Sequence, residues 1–119
     1  MNQTSIDIIK TVVSALEEKK AEDITILDIS EVSVMADYFI IASGNNMNQV
    51  HALCDNVEKI MLQTGIHCQT EGYQNGNWIL MDYGDFIIHI FDKENRFFYD
   101  LERIWRDGKE IKIEDLKEL

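Results

Sequence analysis

Two stretches of the chain carry apolar residues at every third or fourth position, which is the spacing of a helix that buries one side. In the first stretch, Thr4 or Ser5 is suited to cap the N-terminus of a helix, and Lys19 and Lys20 would stand in its last turn. The apolar positions of this stretch are Ile6, Ile9, Val13 and Leu16. The spacing therefore predicts an N-terminal helix that packs on the rest of the domain.

The second stretch predicts a helix that Asn46 or Asn48 caps. Gly65 ends it, since glycine readily takes the left-handed conformation found after a helix. Its apolar positions are Val50, Leu53, Val57, Ile60 and Met61. A third helix is predicted over residues 97–105, where large apolar residues again recur at helical spacing.

Short runs of β-branched and aromatic residues predict strands between and after these helices. The predicted strands cover residues 24–29, 37–43, 67–71, 77–82 and 86–91. The second run is apolar at nearly every position, which is typical of a central strand in a sheet covered on both sides. Tyr83, Gly84 and Asp85 separate the last two runs and predict the tight turn of an antiparallel hairpin.

The element order is thus α-β-β-α-β-β-β-α, which predicts an α/β domain with a mixed sheet of about five strands flanked by helices. A chain of 119 residues can bury one core of useful size but not two. We therefore expect one domain over residues 1–107, followed by a charged tail over residues 108–119. The tail fits either one short helix or a strand followed by a helix.

The charge balance narrows the class of partner. The chain has 11 basic and 22 acidic residues, a net charge of −11, so a phosphate backbone would repel it and a direct nucleic-acid binder is disfavoured. A basic protein partner is favoured instead, because opposite charges steer encounter. The N-terminus lacks the basic and apolar regions of a secretory signal, and we expect a cytoplasmic protein without a membrane span.

Two features could carry chemistry. Residues 43–46 (SGNN) join a buried strand to a helix, where α/β folds often bind phosphate, but no Lys or Arg is near and a tight turn with a helix cap is favoured. Asp82 and Asp85 could hold Mg²⁺ for nucleotidyl transfer. Their spacing of three across a glycine turn instead favours a turn role for Asp85.

The remaining candidates favour structural roles. His89 lies in the middle of an apolar strand, and a half-buried, hydrogen-bonded histidine is favoured over a general base. Cys54 and Cys68 lie 14 positions apart with no metal-ligand spacing, which favours two small core residues over a zinc site or a disulfide. We therefore expect no metal and no cofactor.

Alternation along residues 77–82 places Trp78, Leu80 and Asp82 on one face of a strand and Ile79 and Met81 on the other. Both faces carry apolar side chains. One face therefore belongs to the core, and the other is covered by a helix or by a partner. Large aromatic residues beside acidic ones are common in protein interfaces, and a core role for all of them fits equally well.

Several blocks occur together in one order: DYFIIASG at residues 37–44, W-x-L-x-D-x-G-D at 78–85, and R-x-x-Y-x-L-E-x-x-W at 96–105. In this combination the chain resembles the ribosomal silencing factor family, also called the Iojap-like family, from about residue 5 to residue 107. The resemblance implies a nucleotidyltransferase-like fold without the catalytic carboxylates of that superfamily.

The resemblance also implies a function. Members of the family bind the large ribosomal subunit through ribosomal protein L-fourteen, block the joining of the two subunits and repress translation. It implies a partner-binding site, with no catalytic, metal or cofactor residues, at Trp78, Leu80, Asp82, Glu71, Tyr99 and Glu102. Trp78 is the first choice of anchor.

Two alternatives stay open from the sequence. One is a small Mg²⁺-dependent nucleotidyltransferase that uses Asp82 and Asp85 with a nucleotide pocket near Gly44. The other is a homodimer with a structural role, which apolar residues on both sheet faces would permit.

Overall fold

The structure, a computed structural model, describes residues 3–100, 103 and 106–118, with the backbone alone for residues 3, 98 and 99. These residues form α1 (Gln3–Glu18), β1 (Glu22–Asp28), β2 (Tyr38–Gly44), α2 (Met47–Gln63), β3 (Gln69–Glu71), β4 (Trp78–Asp82), β5 (Phe86–Asp92), α3 (Lys93–Tyr99), β6 (Lys109–Ile111) and α4 (Ile113–Lys117). Within this part of the chain, no helix has the length and apolar character that a bilayer crossing requires.

The strands form one mixed sheet in the order β3-β4-β5-β2-β1-β6. β2 and β5 pair in parallel at its centre, and the other neighbours are antiparallel. Every residue of β2 is buried, so the prediction of a central strand from its unbroken apolar run is confirmed. The predicted hairpin of β4 and β5 is also confirmed. The described strands number six rather than about five because residues 109–111 add an edge strand.

Helices α1, α2 and α4 cover one face of the sheet, which we call the helical face. Its core joins the predicted stripes of α1 and α2 to alternate residues of the strands, among them Ile40, Ile79 and Ile88. Asn46 caps α2 through the Gln49 backbone N–H, as one of the two predicted caps, and the chain leaves the helix through Gly65 at φ 79°. Cys54 is buried in this core, as predicted.

The ends of α1 differ from the prediction. The helix already includes Gln3, so Thr4 and Ser5 lie inside its first turn instead of capping it. It ends at Glu18, and Lys19 and Lys20 therefore stand outside its last turn. Lys20 takes a left-handed conformation at φ 62°, which turns the chain sharply into β1. The apolar stripe identified the helix, but charge alone did not locate its end.

The predicted third helix begins earlier than expected. Asp92, the last residue of β5, accepts a hydrogen bond from the Asn95 N–H and starts α3 at Lys93 rather than at residue 97. The helix ends at Tyr99, where Asp100 adopts φ 46°. The predicted continuation through residues 101, 102, 104 and 105 lies outside the described residues.

The segment that the sequence analysis set apart as a tail packs on the domain. Ile26 of β1 pairs with Ile111 of β6 in antiparallel register, and Leu116 of α4 is fully buried in the core of the helical face. Of the two alternatives for this segment, the strand followed by a helix is the one observed.

Candidate functional site

The second face of the sheet, which we call the Trp78 face, carries an apolar cluster of its own. The buried members of the cluster are Leu27, Ile29, Ala36, Phe39, Ile41, Ile87 and Phe91. Trp78 and Leu80 pack against it and stay partly exposed, whereas Ile79 and Met81 point to the helical face. The predicted alternation along β4 is therefore confirmed, and it leaves two large apolar side chains in partial contact with solvent.

A hydrogen bond fixes the Trp78 ring. Its indole Nε1–H donates to Nδ1 of His89, the cross-strand partner of Leu80, over 3.0 Å. The Trp78 ring also stacks on Phe91, with ring centroids 5.1 Å apart, while His89 meets Phe39 edge-on at 4.6 Å. The aromatic rings therefore hold Trp78 in one orientation from two sides.

His89 is only 3% exposed, and burial lowers its pKa to about 4. The imidazole is therefore neutral near pH 7, as an acceptor at Nδ1 requires, and its proton sits on Nε2. Nε2 is buried and has no hydrogen-bond partner among the described residues. The predicted structural role holds, although the residue is more buried, and less fully hydrogen-bonded, than the sequence suggested.

Four of the predicted site residues share the Trp78 face at the β3–β4 edge. Glu71 pairs with Leu80 across the strands, and Gln69 pairs with Asp82, so Trp78, Leu80, Asp82 and Glu71 lie on one side. Asp82 and Glu71 are exposed beside the two apolar side chains. The Tyr99 side chain and Glu102, the other two predicted residues, lie outside what the structure describes.

Arg96, the first residue of the R-x-x-Y-x-L-E block, fastens α3 to the sheet. Its guanidinium donates to Ser43 Oγ and to Thr25 Oγ1, both over 2.9 Å. These two acceptors belong to β2 and β1, so one side chain ties three elements together. The sequence placed Arg96 in a motif but gave it no role, because its partners lie more than 50 positions away.

The two carboxylates of the alternative enzymatic site, Asp82 and Asp85, lie far from the turn at Gly44. Asp82 Oδ1 accepts a hydrogen bond from the Gly84 N–H, so Asp82, rather than Asp85 as predicted, shapes the hairpin turn with its side chain. Asp82 and Asp85 lie where β5 begins, whereas Gly44 pairs with Asp92 where β5 ends. A seven-residue strand separates these positions by about 20 Å. The described part of the chain also holds no group of three or more His, Cys, Asp or Glu side chains that could hold a metal ion.

Sequence reasoning missed one surface. The loop between β1 and β2, for which the sequence predicted neither a helix nor a strand, exposes three apolar side chains, Val32, Val34 and Met35. The available signal was three apolar residues in a segment with neither helical nor strand periodicity. Exposure depends on what surrounds the loop in space, which the local pattern does not contain.

Comparisons with known proteins give the family. A family model described as "Ribosomal silencing factor during starvation" matches residues 2–119. The ribosomal silencing factor of Bacillus subtilis is 40% identical over 109 residues, 91% of each chain. A crystal structure of a Chromobacterium violaceum protein superimposes with a TM-score of 0.82 at 32% identity, covering 94% of this chain and 92% of that one.

A more distant relative comes from the mouse. The protein named "Mitochondrial assembly of ribosomal large subunit protein 1" is 29% identical over 101 residues, which cover 82% of this chain and 44% of the mouse protein. The family model spans nearly the whole chain. The Bacillus subtilis relative is similar to this chain in sequence, and the Chromobacterium violaceum structure is similar to it in fold. The chain therefore belongs to the ribosomal silencing factor family.

Proposed function

We propose that this protein binds the large ribosomal subunit through ribosomal protein L-fourteen and thereby prevents the small subunit from joining. Family membership supports a role at the ribosome, and the name of the mouse relative supports the large subunit. The observation that carries the proposal is the partly exposed pair Trp78 and Leu80, held on a rigid aromatic cluster opposite the helical face.

The proposed contact has an apolar centre and an acidic edge. Trp78 and Leu80 supply the apolar anchors, and a fixed aromatic ring loses little conformational entropy when a partner covers it. Asp82 and Glu71 stand exposed beside them and would face Lys or Arg of the partner. Tyr99 and Glu102 also belong to the proposed site, because the family resemblance implies them.

The proposed mechanism is steric. The domain measures 34 × 33 × 26 Å, and a rigid body of that size on the joining face of one subunit keeps the other subunit away. No bond is made or broken, so the protein acts without catalysis, cofactor or metal. The net charge of −11 favours a basic ribosomal protein over exposed RNA as the docking partner. The proposed site of action is the cytoplasm.

Sedimentation of purified subunits tests the proposal. Large and small ribosomal subunits are mixed under conditions in which they associate, with and without an excess of the protein. The mixtures are then separated on a sucrose gradient. We expect joined ribosomes to decrease, and the protein to travel with the large subunit. Joined ribosomes in equal amounts in both gradients would refute the steric mechanism. Binding to isolated ribosomal protein L-fourteen, measured separately, tests the named partner.

A further inference from the structure

The loop between β1 and β2, residues 29–37, presents apolar side chains to solvent. Val34 is fully exposed, Met35 is 67% exposed and Val32 is 44% exposed. Isolated surface hydrophobics are common, but three within four positions of one loop form a patch of the kind that marks an interaction surface.

The loop is held in place while these side chains point outward. Asp28 Oδ1 accepts hydrogen bonds from the Ser30 N–H over 3.0 Å and from the Ser30 hydroxyl over 2.6 Å. The Val32 and Ser33 N–H groups donate to the Ile29 carbonyl, and Ser33 Oγ accepts from the Met35 N–H. Because the backbone is already fixed, a partner that covers the patch loses little of its binding free energy to ordering the loop.

Both ends of the loop belong to the Trp78 face. Ile29 and Ala36 are buried in the same apolar cluster against which Trp78 and Leu80 pack. The Asp37 N–H donates to the Asp85 carbonyl over 2.7 Å, which joins the loop to the β4–β5 turn. The exposed patch is therefore continuous with the face that carries the proposed ribosomal contact.

Carboxylates lie in the loop, at the adjoining end of β1 and at the neighbouring end of the β4–β5 hairpin. They belong to Asp28, Glu31, Asp37, Asp82 and Asp85, of which all but Asp28 are exposed. Lys109 approaches Glu31 at 3.6 Å, with both side chains more than 70% exposed, so this ion pair is weak. An apolar centre with an excess of negative charge around it complements a basic protein surface and repels RNA.

We propose that the β1–β2 loop is a second docking surface for the large subunit, on which Val34 and Met35 enter an apolar pocket of a basic ribosomal protein while the surrounding carboxylates face its Lys and Arg. The proposal rests on the proposed function and extends its contact from the β3–β4 edge to the opposite side of the Trp78 face.

A double substitution tests the loop. Val34→Ser combined with Met35→Ser removes the two most exposed apolar side chains of the patch, so the melting temperature is expected to stay unchanged. Binding of the variant to purified large subunits, measured by co-sedimentation over a range of concentrations, is expected to weaken by about tenfold or more. The matched control is Leu62→Ser, which removes an equally apolar, 44% exposed side chain from α2.

A charge substitution tests the second half of the proposal. Glu31→Lys is expected to weaken binding and to flatten its dependence on salt concentration, because one attraction to a basic partner becomes a repulsion. Glu58→Lys, at an exposed position of α2, makes the same change in net charge away from the loop and is expected to bind like the unmodified protein.

The outcomes separate this proposal from the function on which it rests. If the loop variant binds normally while Trp78→Ala does not, the loop is not a docking surface and the proposed function stands. If the unmodified protein fails to bind the subunit, both are wrong. If the loop variant binds protein-free ribosomal RNA more weakly than the unmodified protein does, the loop is an RNA contact. A change from dimer to monomer in light scattering, with subunit binding intact, would assign it to self-association. Either result overturns the proposal.

Discussion

The indole N–H of Trp78 donates to Nδ1 of His89, and only a neutral imidazole can accept it. The position of the most prominent residue on the proposed contact face thus depends on the protonation state of a residue that no partner needs to touch. Protonation of His89 would turn its acceptor nitrogen into a donor that points at another donor.

This relationship predicts a pH dependence of stability. The pKa of His89 in the folded protein is about 4, below its ordinary value of 6.5, so the unfolded chain takes up the proton first. The contribution of His89 to the free energy of unfolding is fully present above about pH 6.5. It is lost as the pH falls toward 4, which lowers that free energy by up to about 3 kcal/mol. Urea unfolding at a series of pH values measures it.

The matched comparison uses His89→Asn and the exposed histidine variant His67→Asn. We expect the His89 variant to flatten the pH dependence between 4 and 6.5 and the His67 variant to leave it unchanged. A slope that is the same in the His89 variant and in the unmodified protein would contradict the neutral, buried histidine.

Trp78→Ala is expected to weaken binding to the large subunit by about 2 kcal/mol or more, roughly 30-fold, because it removes the central anchor of the proposed contact. The measurement is the dissociation constant by co-sedimentation, with circular dichroism as a check that the variant is folded. Leu62→Ala on α2 is the control and is expected to bind normally. A folded Trp78→Ala protein that binds normally would remove Trp78 from the site.

Gly72→Ala is expected to destabilise the fold by about 2–4 kcal/mol. Gly72 has φ 80°, and a Cβ there would overlap the carbonyl oxygen of Trp78, which cannot move without disturbing β4. Gly65→Ala is the matched control, because Gly65 has φ 79° but open space around it, and it should cost about 1 kcal/mol. Equal losses in the two variants, measured by urea unfolding, would show that the crowding at Trp78 is absent.

Leu116→Ala is expected to cost about 2–5 kcal/mol, since the side chain is fully buried among residues of the helical face. Leu62→Ala, at a 44% exposed position, should stay within about 0.5 kcal/mol. Thermal unfolding of both variants compares them. A neutral Leu116→Ala would mean that the last helix is a loose appendage and would favour a domain that ends near residue 107.

The features that the sequence predicted well depend on local periodicity. The unbroken apolar run of β2 identified the centre of the sheet, and the alternation of β4 separated Trp78 from Ile79. Both patterns record how many sides of a strand are buried, which is a local property. They do not record what covers each side, and so the two faces could not be told apart before the structure.

The features that were missed depend on distant partners. The cap of α3 was overlooked because Asp92 is both the last residue of a strand and the cap of a helix. The apolar pattern therefore changes from the period of a strand to that of a helix within a single residue. The edge strand β6 is three residues long, too short for alternation to identify, and pairing with β1 defines it. The Trp78–His89 hydrogen bond required the register of β4 against β5.

The order of the strands has a consequence for how this chain is made. The parallel partner of β2 is β5, and the partner of β1 on its other side is β6, the strand farthest from it along the described chain. Closing such distant pairs is slow, and the central strands stay without their partners while translation continues. The sheet can be completed only after residue 111 has left the ribosome that synthesises the chain, so β1 stays without its second partner until then.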